Sequence, residues 1–110
     1  KKIRSVIYNY LSNALNYSNE DEDVLVRISE EEKGVRYEVI DHGMGIKEED
    51  IKRVWDRYYI SSANHELKKY STGLGLYIAR EVLLLHKAEF GVESSYGKGS
   101  NFYFVLKKGV

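Results

Sequence analysis

The chain has 110 residues, enough for one domain with a two-layer core. Its 17 basic residues balance its 17 acidic ones, so nothing points to counterion-driven nucleic-acid binding or to a polybasic membrane contact. With no cysteine it can form no disulfide or thiolate metal site, and no apolar run approaches the ~18 residues that span a bilayer.

Residues 3–18 open the chain with a helical stripe of Ile3, Ile7, Tyr10, Leu11, Ala14 and Leu15. The helix begins without a capping residue, which predicts a single domain excised from a longer protein. Beside the stripe runs a second one, Asn9, Asn13 and Asn16, with Tyr17 four residues after Asn13. Asparagine is a poor residue inside a helix, about half a kcal/mol worse than alanine, so three in line need an offsetting use. A carboxamide oxygen is a hard neutral ligand suited to Mg²⁺, although a merely polar exposed face is the plainer alternative.

Residues 24–29 alternate as a strand, Glu30 to Gly34 turn the chain back, and Val35 to Ile40 alternate as a second strand. That strand runs into Asp41-His42-Gly43-Met44-Gly45-Ile46, a carboxylate followed by glycines at alternate positions. Such a turn leaves little beyond Cα to block a flat ligand. Its carboxylate can accept a hydrogen bond from an exocyclic amine such as the N6 group of adenine. Taken alone, the motif competes with a solvated Asp before a flexible turn.

An acidic first turn, Lys47-Glu48-Glu49-Asp50-Ile51, suits the N-terminus of a short helix that carries Ile51, Val54 and Trp55 inward and runs on to Arg57-Tyr58-Tyr59. From Ile60 to Ser71 the sequence lacks periodicity, as lids and binding loops do. It ends in Thr72-Gly73-Leu74-Gly75-Leu76, from which a helix runs to about Leu85 with Leu76, Ala79, Val82 and Leu83 on its apolar face. Backbone N–H groups at a glycine-rich helix entry favour phosphate. Two strands close the chain, Glu89 to Ser94 and Asn101 to Leu106, joined by Tyr96-Gly97-Lys98-Gly99, with Phe102, Phe104 and Leu106 alternating inward. The three histidines, His42, His65 and His86, lack metal-ligand spacing.

In this order the motifs resemble the ATP-binding catalytic domain of bacterial sensor histidine kinases, in the superfamily shared with gyrase, the Hsp90 chaperone and MutL. Asn9 to Ala14 resembles the N box, Asp41 to Gly45 the G1 box, Val54 to Tyr59 the F box and Ser71 to Leu76 the G2 box. The resemblance covers essentially the whole chain. It implies an α+β, two-layer α/β sandwich, a mixed sheet with three helices on one face, holding ATP and Mg²⁺. By the same resemblance Asn13 matches the Mg²⁺ ligand, Asp41 the partner of the adenine amine and Gly45 the glycine beside the ring. Tyr17 lies where an aromatic meets the base, Ser100 where a hydroxyl stands near the adenine-binding Asp, and Arg57 where a basic residue approaches the lid. Gly43 and Ile46 belong to the adenine loop, and Thr72, Gly73, Leu74, Gly75 and Leu76 to the phosphate-binding end of the lid.

Asn9 bears on the reaction. ATPases of the superfamily carry a glutamate there as general base, whereas an amide takes no proton at neutral pH. This favours transfer to a nucleophile from another domain, and the resemblance makes that nucleophile a histidine on an upstream dimerisation domain. It further implies a homodimeric parent, a response regulator as partner, and a cytoplasmic domain whose parent is anchored in the inner membrane in many relatives. His65-Glu66-Leu67-Lys68 resembles the start of a phosphoacceptor box, but its place in the lid argues against that role.

The sequence departs from the family at Ser71, where a glycine is usual, and at Asn16 and Ile60, where basic residues often stand. These departures keep open a degenerate, non-catalytic nucleotide-binding or signalling module, and an ATPase of the superfamily is the other alternative. Lys87-Ala88 replaces a glycine-containing turn, so Lys87 or a neighbour is expected to have positive φ.

Overall fold

The structure, a computed structural model, describes residues 2–18, 22–56 and 75–107. Within these the order is α1 (Lys2–Tyr17), β1 (Leu25–Glu30), β2 (Gly34–Asp41), α2 (Glu48–Ile51), α3 (Gly75–Leu85), β3 (Glu89–Ser95) and β4 (Gly99–Lys107). The strands form one sheet in the order β1-β2-β4-β3. All three neighbouring pairs are antiparallel, which narrows the expected mixed sheet while keeping the two-layer sandwich.

Strand alternation sorts side chains to two faces. Tyr37 and Val39 of β2, Phe102 and Phe104 of β4, and Phe90 and Val92 of β3 face the helices, and they join Val6, Tyr10 and Ala14 of α1 and Ala79, Val82 and Leu83 of α3 in one core. Tyr10 is the hub. Its ring lies 5.6 Å from Phe102, 5.8 Å from Phe104 and 6.2 Å from Trp55, in the tilted and edge-on arrangements aromatic quadrupoles favour. Its hydroxyl donates to the Tyr103 carbonyl at 3.2 Å, so the buried phenol is satisfied. Trp55 stacks edge-on against Phe90 at 5.1 Å, which ties the segment after α2 to the sheet.

The apolar stripe of α1 is rotated from the expected one. Val6 is fully buried, whereas Leu15 is 66% exposed. Burial is centred on Tyr10, and Leu15 stands well round the helix from it, toward the same side as the exposed Tyr8. The end of α3 matches expectation. Lys87 adopts φ 55°, and the amides of Lys87 and Ala88 return to the carbonyls of Leu84 and Leu83, closing the helix without a glycine.

The other face of the sheet carries a charged network around the buried Glu38. Arg27 grips Glu38 with Nε at 2.7 Å and a second nitrogen at 3.2 Å, and Asn101 Nδ2 donates to the same carboxylate at 2.8 Å. Arg36 adds a contact at 3.4 Å and stacks on the Tyr103 ring at 4.1 Å.

Candidate functional site

At one end of the sheet the apolar rows of the helix-covered face each stop at a polar residue. The β2 row Tyr37, Val39 ends in Asp41, the β4 row begins at Ser100, and the β3 row Phe90, Val92 ends in Ser94. The three are cross-strand neighbours, Asp41 opposite Ser100 and Ser100 opposite Ser94. Polar groups on an apolar face must find partners or face a ligand.

Asp41 is 4% exposed. One carboxylate oxygen accepts the Gly43 amide at 2.9 Å, a tight turn in which Gly43 spends its own N–H on the side chain. Burial pushes the carboxyl up, opposed by the Gly43 and Ser100 amides and by His42, and reinforced by the charge of Glu22. Among the described residues no cation pairs with it. It therefore keeps acceptor capacity for a donor from outside the chain.

The loop after Asp41 leans on the β3–β4 turn. Gly97 N–H donates to the Met44 carbonyl at 2.5 Å, Ile46 N–H donates to Ser94 Oγ at 2.8 Å, and Lys47 lies over the Tyr96 ring at 5.2 Å. Gly45, at φ 71°, is required twice over, since a Cβ there would strike the Ser95 carbonyl. A Cβ on Gly99 would likewise strike the Asp41 carbonyl. Both glycines serve close approach of loop to hairpin. The Ile46 amide is thus engaged within the protein, and its side chain packs against the core.

The helix α1 lies on the same side of the sheet as Asp41, because Tyr10 packs on Phe102 and Phe104 of the row that Ser100 begins. Its exit segment reaches the loop, with Asp23 O 3.5 Å from His42 Nδ1. Asn9 faces α3: its Oδ1 would be 3.5 Å from a Cβ on Gly75, the first residue of that helix. Asn13 is one turn further along the same helix and half-buried, and Leu76 packs partly buried against the core. Asn9, Asn13, Gly75, Asp41 and Ser100 thus share the helix-covered side of the sheet. Arg57, Thr72, Gly73 and Leu74 lie outside the described residues, as do Ile60, His65 and Ser71 and the side chain of Tyr17.

Ser94 escaped the sequence reading. Its signal was there in the alternation, as a hydroxyl in register with Phe90 and Val92 on an otherwise apolar row. Among the described residues no group of three or more His, Cys, Asp or Glu is placed to hold a metal ion. No helix among them is long and apolar enough to cross a membrane.

The family described as histidine kinase-, DNA gyrase B- and HSP90-like ATPase matches residues 1–110. The chain is 38% identical over 107 residues to the sensor histidine kinase WalK of Bacillus subtilis (strain 168), covering 96% of this chain and 18% of that protein. It is 30% identical to the phosphate regulon sensor protein PhoR of Haemophilus influenzae, covering 97% of this chain and 25% of that one. It spans a quarter or less of the length of these two relatives. Among solved structures, a mycobacterial sensor histidine kinase, MprB, superposes with a TM-score of 0.81 at 25% identity, over 96% of this chain and 70% of that one. Full-length ShkA in complex with AMPPNP shares the fold, with a TM-score of 0.78 at 24% identity over 99% of this chain and 22% of that one.

Proposed function

The chain belongs to the histidine kinase-, DNA gyrase B- and HSP90-like ATPase family, and from that premise we propose that it is the catalytic domain of a two-component sensor histidine kinase. It holds ATP with Mg²⁺ and supplies the γ-phosphoryl group to a histidine on an upstream dimerisation domain, from which a response regulator takes it.

The observation that carries this reading is Asp41, a buried carboxylate with no cationic partner among the described residues, held by backbone amides at the end of the row it shares with Ser100. Such a group accepts a hydrogen bond from the exocyclic amine of adenine, and its charge makes that bond a strong one. Asn13 would hold Mg²⁺ through its carboxamide oxygen, and the ion would neutralise phosphate charge. By the resemblance, Thr72, Gly73, Leu74, Gly75 and Leu76 would offer backbone N–H groups to the phosphates, and Arg57 would add a guanidinium fork. By the same resemblance Tyr17 would meet the base. Asn9 positions rather than deprotonates. In the transfer, an imidazole nitrogen of the acceptor histidine forms a bond to the γ-phosphorus as the bond from that phosphorus to the β–γ bridging oxygen breaks, leaving ADP. Catalysis is then positioning and electrostatic stabilisation.

The test is labelling with [γ-³²P]ATP. The chain alone should bind nucleotide without labelling itself, and adding its upstream helical domain should place label on a histidine there. Label at His65 of the isolated chain, or rapid hydrolysis by it, would overturn the assignment.

A further inference from the structure

Ser94 is a serine with all of its hydrogen-bonding capacity in use. A hydroxyl has one proton to give and two lone pairs to accept with. Ser94 Oγ accepts from the Ile46 amide at 2.8 Å, and it donates to the Gly99 carbonyl at 2.8 Å, which can only accept. The third contact, to Ser100 Oγ at 2.8 Å, then has one possible sense: Ser100 donates and Ser94 accepts. Ser100 is 8% exposed and stands opposite Asp41 in the strand register. With its proton committed to Ser94, the Ser100 hydroxyl has only lone pairs left to show beside the carboxylate.

We propose that Ser94 is a specificity-setting, positioning residue, which locks the Ser100 hydroxyl as an acceptor and pins the Asp41–Ile46 loop, so that the site favours a base carrying an amine over one carrying a carbonyl. The inference rests on the reading of Asp41 as the purine partner. Two neighbouring acceptors, one a carboxylate, suit the two N–H bonds of an exocyclic amine. They repel the carbonyl oxygen that replaces it in hypoxanthine or guanine. Were Ser94 absent, Ser100 could turn its proton outward and donate to that oxygen. The Ile46 amide would also lose its partner. This role differs from that of the loop glycines, which act by shape alone.

The experiment compares ADP with IDP, which differ at the purine 6-position, by calorimetric titration of the unaltered chain and of Ser94→Ala, Ser94→Cys and Ser94→Thr. The unaltered chain should bind ADP at least about 10-fold more tightly than IDP, the discrimination expected when a site built for one hydrogen-bonding pattern meets its inverse. Ser94→Ala should shrink that ratio several-fold, by weakening ADP and sparing IDP, while Ser94→Thr, which keeps the hydroxyl, should hold it. Ser94→Cys fills the same space with a weak donor and should fall between, and it carries the test if the alanine variant does not fold. General loosening of the pocket would weaken both nucleotides alike. A ratio unchanged in Ser94→Ala or Ser94→Cys, beside a selective unaltered chain, overturns the role of Ser94 and leaves the purine reading standing. Failure of the unaltered chain to prefer ADP overturns both.

Discussion

Glu38 and Asp41 stand three residues apart on β2, on opposite faces of the sheet, and each is 4% exposed. Burial alone would make them equals. Their surroundings make them opposites. The Arg27 guanidinium, hydrogen-bonded to Glu38, holds that carboxyl down to about 2 against the cost of burial, with help from Asn101 and Arg36. Asp41 has backbone amides for partners, and burial wins, pushing its carboxyl up. A buried charge whose partners come from the protein itself is a fastening. One left with spare acceptor capacity can take a donor from outside the chain, and that difference, rather than burial, makes Asp41 the candidate site.

The comparison can be broken at either end. The largest expected effect is that of Asp41→Asn, which should weaken ADP binding by on the order of 100-fold, the loss of a charge-assisted hydrogen bond. Because the folded Asp41 carboxyl is raised, its charged form opposes folding at neutral pH. Thermal unfolding should therefore show the Asn variant at least as stable as the unaltered chain at pH 7, and a marked fall in its midpoint would break the comparison.

Gly45→Ala comes next. It should cost about 2–3 kcal/mol in denaturant unfolding, since the methyl strikes the Ser95 carbonyl and the residue sits at positive φ, and nucleotide binding should weaken as the loop shifts. Glu38→Gln should cost about 1–2 kcal/mol and leave ADP affinity unchanged, because its network lies on the far face. The acid dependence follows in sign. The folded carboxyl lies below its ordinary value of 4.5, so its contribution is full above that pH and is lost as pH falls toward about 2. The Gln variant should lose less stability across that window than the unaltered chain, and parallel acid profiles would contradict it.

The smallest effect lies away from both carboxylates. Lys87→Gly should raise stability by about 1 kcal/mol, by relieving a left-handed residue at the end of α3, with no change in nucleotide binding. A loss of stability there would mean that the lysine side chain contributes more than its backbone costs.

Local pattern carries far in this chain. Alternation located all four strands, the 3.6-residue period located α1 and α3, and the turn after Asp41 was legible because Gly45 records its backbone geometry directly. The positive φ at Lys87 was equally legible, since a helix end turning into a strand with no glycine still needs that conformation. By contrast, Glu38 reads as an ordinary solvent-facing residue of an alternating strand. Its burial comes from Arg27 on one neighbouring strand, Asn101 on another and Arg36 two residues away on its own. Leu15 and Val6 exchanged places because a helix exposes whatever its neighbours leave uncovered, and the stripe by itself does not say where its centre falls.

What the sequence by itself determined is what each residue does with its own backbone and near neighbours: the strands, the helices, the turn beneath Asp41 and the family motifs in their order. Only the tertiary structure decided which polar groups are already satisfied. The row Asp41, Ser100, Ser94 draws on three strands separated by up to 59 positions, and the direction of its hydroxyl bonds depends on carbonyls and amides that no spacing within one segment brings together. Hydrogen bonds are short-ranged in space and indifferent to sequence distance, so the sense of that network exists only once the sheet has closed.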